Sequence, residues 1–256
     1  MKKVFLILLT NSIMTMFLIS TASAANLDLK RLLLFYPCDE GGGEVLKDAS
    51  GRGFDAALPK AKWEAGVFDK AIRLQKTNSE VKGDIISSVG KTGEISMMCW
   101  VNMTVHTTYN GLISIEAPEA GCCEFRLMID PTKNPFWDAG RHADKKLGNF
   151  AFELKKWYHY AMAANGEVTK IYVDGKFIGE QVESFKLPTF KEVTIYVGTG
   201  EAPGTWTVED LAMDEIMIWD KALDEKEMKM VMEGSKVFMA VNTSGKLATT
   251  WAGLKK

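Results

Sequence analysis

Asp214 stands in the apolar run Ala212–Trp219, where a carboxylate is out of place. In an extended strand side chains alternate with a period of two, so the run predicts Asp214 on the face of Ile216 and Ile218. A carboxylate there is costly to bury unless it is paired, hydrogen-bonded or metal-bound. The competing reading is an aspartate that caps a strand end or pairs with a Lys or Arg. By the same alternation Glu215 points to the opposite face. Adjacent acids of this kind, like Glu209-Asp210, do not put an acid and a nucleophile on one side of a strand, as glycoside hydrolysis requires. Gly-x-Ser-x-Gly, His-Glu-x-x-His and phosphate-loop patterns are absent from the chain. The chain therefore reads as a non-enzyme.

Binding demands less of a sequence than catalysis. Tyr109, Trp137 and Trp206 sit in polar, loop-like contexts and are candidates for an aromatic platform. Asp138, Arg141 and His142 are candidates for the polar groups that orient a ligand beside such a platform. The alternative is that these aromatics pack beneath long loops. His106 and His142, with Asp138 and Asp144 nearby in sequence, lack tight metal-ligand spacing and read as solvated loop residues. His159 alternates with Trp157 and Ala161 and reads as a hydrogen-bonded core residue.

The elements that must position these residues are mostly strands. Leu32–Cys38, Ala71–Leu74, Ile95–Val101, Leu112–Ile115, Phe125–Ile129, Trp157–Ala163 and Ala212–Trp219 are apolar and extended. Val193, Ile195 and Val197 alternate with Thr194 and Tyr196, the pattern of a half-buried strand. Lys170–Val173 and Lys176–Ile178 flank Asp174-Gly175, a two-residue hairpin signal. One helix is expected after Asp224, with Glu227 completing a capping box and Leu223, Met228, Val231 and Met232 on its buried side. Residues 102–120 and 130–148 read as long loops or ragged strand ends. Many short strands without βα alternation predict an all-β, two-sheet antiparallel jelly-roll sandwich with one short C-terminal helix.

Residues 1–24 read as a signal peptide; the alternative, an uncleaved membrane anchor, is disfavoured by the interruption at Thr10, Asn11 and Ser12. Lys2 and Lys3 precede the mostly apolar Val4–Ile19, and Ala22-Ser23-Ala24 is a small-residue cleavage site. The chain is then expected to be secreted, periplasmic or at the cell surface, and the mature protein not to span a membrane. Lys and Arg number 31 against 33 Asp and Glu, so no basic excess exists for nucleic acid. Export permits disulfides among Cys38, Cys99, Cys122 and Cys123, and four cysteines allow three full pairings. The alternative for Cys38 and Cys99 is two small buried thiols.

Five segments carry a resemblance. They are Tyr36-Pro37-Cys38-Asp39-Glu40-Gly41 with Asp48-Ala49-Ser50-Gly51-Arg52-Gly53; Trp63–Ile72; Ile95–Val101; Trp157-Tyr158-His159 with Tyr172–Lys176; and Asp214–Trp219 with Ala222-Leu223. In that order they resemble the laminin G-like, concanavalin A-like lectin/glucanase jelly rolls of secreted bacterial type. The resemblance covers residues 30–233 and leaves 234–256 as a C-terminal tail, in which Gly245–Trp251 is similar to an ending of some secreted bacterial proteins. Cys38 replaces the family's usual Phe, and Gln75-Lys76 stands where Asp-Gly is common. The resemblance implies one structural Ca²⁺ with Asp214 as ligand, Asp39 as a second and Asp48 as a third; backbone carbonyls and water would complete its six to eight oxygens. It also implies a secreted carbohydrate-binding or adhesive module whose partner is an extracellular glycan or glycoprotein. The alternatives are a protein–protein adhesion domain and a glycoside-active enzyme with an unrecognised site.

Overall fold

The computed structural model describes residues 27–117, 123–139, 145–182, 192–201 and 204–235. The segment read as a signal peptide, Cys122, Arg141, His142, Asp144 and residues 236–256 lie outside them. The strands are β1 (Leu32–Tyr36), β2 (Val45–Leu46), β3 (Ala56–Ala57), β4 (Lys62–Ala65), β5 (Lys70–Leu74), β6 (Ser79–Gly83), β7 (Ile95–Val105), β8 (Asn110–Glu116), β9 (Cys123–Ile129), β10 (Pro135–Ala139), β11 (Lys145–Lys146), β12 (Trp157–Ala164), β13 (Val168–Val173), β14 (Lys176–Val182), β15 (Val193–Val197) and β16 (Asp210–Trp219). The helices are α1 (Val89–Thr92) and α2 (Glu225–Val231).

These strands form two antiparallel sheets. The first runs β14-β13-β12-β7-β16-β5-β4, with β1 also paired to β16; the second runs β11-β10-β9-β8-β15-β6-β3-β2. The chain is thus an all-β jelly-roll sandwich. Between the sheets lies one apolar core, to which Met97, Cys99, Val101, Tyr160, Met162, Met213, Ile216 and Ile218 contribute from the first sheet. Phe125, Leu127, Ile129, Ile113, Ile115, Ile195 and Trp137 contribute from the second. Strands that alternate toward such a core leave their other residues on the outer faces.

Part of the first sheet's outer face is also covered. Met98, Ala161, Tyr172, Met217 and Trp219 pack under Met228, Met230 and Val231 of α2. Asp224 caps this helix by accepting the Glu227 N–H at 2.8 Å, and the Glu227 carboxylate accepts the Asp224 N–H in return. Such a cap contributes about 1 kcal/mol and fixes where the helix starts. The hairpin between β13 and β14 turns at Asp174 (φ 50°) and Gly175 (φ 68°), the two left-handed residues of a type I′ turn.

Strands enter both segments that read as long loops or ragged strand ends: β7 runs on to Val105, β8 fills 110–116, and β10 and β11 take 135–139 and 145–146. Non-local pairing decides these segments: Trp137 pairs with Leu127 and Asp138 with Arg126, contacts absent from a local reading. The first strand stops at Tyr36, before Pro37 and a left-handed Cys38 (φ 59°). Cys38 and Cys99 are free and buried.

Candidate functional site

The outer face of the second sheet carries a cross-strand row of polar and aromatic residues. Glu80 pairs with Tyr196, Tyr196 with Ser114, Ser114 with Arg126, and Arg126 with Asp138. Directly opposed residues share a face, so this row is continuous across five strands. Arg126 and Asp138 are only 6% and 3% exposed, and an Arg126 Nη2 N–H donates to Asp138 Oδ2 at 3.0 Å. A buried arginine needs such a partner, because an uncompensated charge away from water is costly.

Three aromatic rings lie beside this ion pair. Tyr109 and Trp206 are half-buried with ring centroids 5.5 Å apart and planes tilted by 47°; Tyr109 also meets Phe136 at 4.9 Å. The Arg126 guanidinium is 5.1 Å from the Trp206 ring centroid, within cation–π range. Trp206 is held in place by its loop. Its φ is 57°, a left-handed conformation that costs a bulky residue about 1–2 kcal/mol. Holding it there, Trp206 O accepts the Gly111 N–H at 2.8 Å, while Val208 N–H donates to Gly198 O and Thr205 N–H to Glu201 O. Gly111 permits this docking because a Cβ there would lie 1.9 Å from Gly200 N. The platform is therefore set by main-chain packing, which preorganises its rings.

A second cluster lies on the first sheet. Asp214 is fully buried; its Oδ2 accepts the Val67 N–H at 2.8 Å and the Phe68 N–H at 3.2 Å, while Oδ1 has no hydrogen-bond partner. Opposite Cys99, β16 carries two residues, Glu215 and Ile216, and Glu215 has φ 50°. This bulge breaks the alternation. Asp214 consequently shares the outer face with its cross-strand neighbour Trp100, not the core face of Ile216 and Ile218. Nor does Glu215 leave for the opposite side. It accepts the Ser235 N–H at 3.1 Å, and Gly234 sits between its carboxyl and the Phe68 ring. Burial above all raises both acids, Asp214 to about 7 and Glu215 to about 8; the charge of Asp39 contributes to the first rise, and those of Asp214 and then Asp39 to the second. Burial, then the charges of Asp214, Glu40, Glu215 and Asp39, pushes the Cys38 thiol well up.

A match to the model of the concanavalin A-like lectin/glucanases superfamily, of laminin G type, spans residues 76–229, more than half of the chain. The chain belongs to this superfamily. Its fold is similar to that of Trypanosoma rangeli sialidase in complex with sialic acid, with TM-score 0.61 and 15% identity over 81% of this chain and 33% of that one. The binding domain of Paraclostridial Mosquitocidal Protein 1 is similar with TM-score 0.61 and 14% identity, over 81% and 53% of the two chains. The chain thus spans about a third of the sialidase and about half of the toxin chain, and these likenesses show the fold alone. No curated protein matches the sequence.

Of the residues expected to bind a ligand, this superfamily member brings Tyr109, Trp206 and Asp138 together. Trp137 is a correction. It lies on β10 facing the core at 2% exposure, so its neighbours Phe136 and Asp138 take the outer face instead. Arg141 and His142 lie outside the described residues. Arg126 and Phe136 were not expected; an arginine inside the apolar run Phe125–Ile129 is the signal that marks the first. His159 is buried as expected, stacked edge-on against Trp100 at 5.5 Å, and Nδ1 has no partner.

The superfamily resemblance implies Ca²⁺, and the donors can be tested against it. Asp214 offers a buried, unpartnered oxygen, and Asp39, whose Oδ1 accepts the Lys70 N–H at 3.2 Å, is its charged neighbour. Hard carboxylate oxygens of this kind fit Ca²⁺. Asp48 serves the backbone instead: Oδ1 accepts the Phe35 and Ser50 N–H groups, and Oδ2 accepts the Ser50 hydroxyl and the Phe54 N–H. Among the described residues no group of three His, Cys, Asp or Glu side chains stands ready to hold a metal.

Proposed function

We propose that this protein is a non-catalytic glycan-binding module acting outside the cell, and that it binds on the outer face of the second sheet. The observation that carries the reading is the preorganised Tyr109–Trp206 pair, with Arg126 and Asp138 at its base. Aromatic faces stack on the apolar faces of sugar rings, and a few fixed polar groups select among hydroxyl patterns. Membership of a superfamily named for its lectins and glucanases supports the class of ligand. The N-terminal Lys2-Lys3, apolar Val4–Ile19 and Ala22-Ser23-Ala24 support export.

The same reading places a structural Ca²⁺ at Asp39 and Asp214, completed by carbonyl and water oxygens. Bound there, it would supply positive charge to two carboxylates that repel each other, those of Asp39 after β1 and Asp214 beside the bulge of β16.

A glycan array probed with the exported chain tests the function. Saturable binding competed by free sugar, and abolished in Trp206→Ala, is expected. Binding only to protein ligands would move the reading to adhesion. Hydrolysis of a bound glycan, lost in Asp214→Asn or Glu215→Gln with an unchanged melting temperature, would replace it with an enzyme.

A further inference from the structure

His106 lies at the junction of the two segments that carry the platform. Asn110, fully buried, is the first residue of β8 and follows Tyr109. Its Oδ1 accepts the Glu209 backbone N–H at 2.8 Å. A backbone N–H only donates, so this bond fixes which end of the amide is oxygen. The amide nitrogen must then face His106 Nδ1, 2.6 Å away, and it also donates to Thr108 O at 3.3 Å. On the far side of the ring, His106 Nε2 is 2.6 Å from Asp130 O, which only accepts. Both contacts demand one protonation state: Nε2 carries the proton, and Nδ1 presents a lone pair to Asn110.

We propose that neutral His106 is a positioning residue for the binding platform, and that its protonation releases Tyr109 and Trp206 from their paired arrangement. This rests on the glycan-binding reading for its consequence but not for its geometry. A proton on Nδ1 sets an N–H against the Asn110 NH₂ at 2.6 Å, two donors with no acceptor between them. Asn110 must then withdraw. The withdrawal disturbs Tyr109 on one side and, through the Glu209 N–H, the segment holding Trp206 on the other. The adjoining bond from Gly111 N–H to Trp206 O shares the same strand end. The Glu209 carboxylate is itself held by the Thr107 hydroxyl at 2.7 Å. Charged groups facing the ring are Glu209 and Asp130, which favour the proton, and Lys133, which opposes it. Burial outweighs them and holds His106 below the ordinary histidine range.

The test is NMR of the full chain from about pH 7.5 down through the ordinary histidine range and below it, as far as the fold survives. It follows the His106 ring nitrogens and the Trp206 indole N–H, the latter assigned with Trp206→Phe. The Nε2–H tautomer is expected at neutral pH, with the Trp206 signal moving at the same midpoint as His106. His106→Gln keeps a donor toward Asp130 O and removes the titration, so its Trp206 signal should stay flat while circular dichroism stays native. A Trp206 signal indifferent to the His106 midpoint, or an Nδ1–H tautomer, would overturn the proposal. The glycan array run at both pH limits adds the consequence: wild-type binding should fall at least fivefold in acid, and His106→Gln binding should not follow that midpoint. An array blank at every pH defeats the proposed function, while the ligand-free NMR still decides the role of His106.

Discussion

Arg126 donates to Asp138 at 3.0 Å while its guanidinium lies 5.1 Å from the centre of the Trp206 ring. One buried cation therefore links the strand pair β9–β10 to the loop that carries the platform. Removing the Asp138 carboxylate takes a charge partner from a buried arginine. Asp138→Ala is expected to destabilise the fold by about 3 kcal/mol, read as a lower denaturant midpoint. Arg126→Met with Asp138→Leu removes both charges and should recover most of that loss, because neither member of the pair is left behind as a charge without the other. A single and a double variant of equal stability would show that the pair carries little.

The platform itself should be dispensable for folding and needed for binding. Trp206→Ala is expected to weaken glycan binding at least tenfold, about 1.4 kcal/mol, while lowering stability by less than a core truncation. Gly111→Ala reaches the same end from beneath. Its Cβ would stand 1.9 Å from Gly200 N, so Thr199 and Gly200 must move away, and Trp206, whose carbonyl the Gly111 N–H holds, is displaced with them. Isothermal titration with an array-positive glycan checks both. Unchanged affinity in both variants would remove this face from the functional account.

Local geometry is legible in neighbouring residues, whereas geometry set by non-local pairing is not. Asp174-Gly175 and the Asp224/Glu227 cap are short-range patterns whose geometry follows from neighbouring residues, and the structure has both. The alternation of Val193–Val197 likewise gave its strand. Trp137 misled because the strand around it is only Pro135–Ala139, and its direction is set by pairing with Leu127 rather than by its polar flanks. Asp214 misled for a different reason. Alternation places it with Ile216, but the single inserted residue at the Glu215 bulge changes the parity, and no local signal in Asp214-Glu215-Ile216 announces a bulge. Arg126 was legible as an anomaly in an apolar run, yet its partner Asp138 was visible only through the register of β9 with β10.

His159 should shape the acid limb of stability. Burial lowers it to about 3 from an ordinary 6.5, and it is 1% exposed. The unfolded chain takes up a proton below about pH 6.5, whereas the folded chain refuses it until about pH 3. Stability is thus present above the unfolded value and lost progressively as pH falls through that window, at up to about 1.4 kcal/mol per pH unit. His159→Phe, which keeps an aromatic ring against Trp100 without the titration, is expected to flatten the limb. Urea midpoints measured at intervals across the window decide this; parallel curves for the two proteins would place the acid sensitivity elsewhere.

Asp214 and Glu215 act with the opposite sign, and calcium should reverse them. Their folded values, about 7 and about 8, stand above the ordinary carboxylate range because burial disfavours the charged forms. Without metal, their contribution is fully present below about pH 4 and is lost as pH rises through 7 and 8, since both must ionise while buried. The metal-free protein should therefore lose melting temperature across that interval. A bound Ca²⁺ favours the ionised Asp214, so added calcium should raise the melting temperature most at the alkaline end and least in acid. Saturation at a hundredfold excess over Kd corresponds to about 2.7 kcal/mol. Asp214→Asn carries no ionisable group; it should lose the calcium response and, when metal-free, fall less steeply with pH than the wild type. A melting temperature indifferent to calcium at alkaline pH, with no heat of binding, would take the ion out of the account and leave Asp214 as a protonated hydrogen-bond partner of the Val67–Phe68 turn.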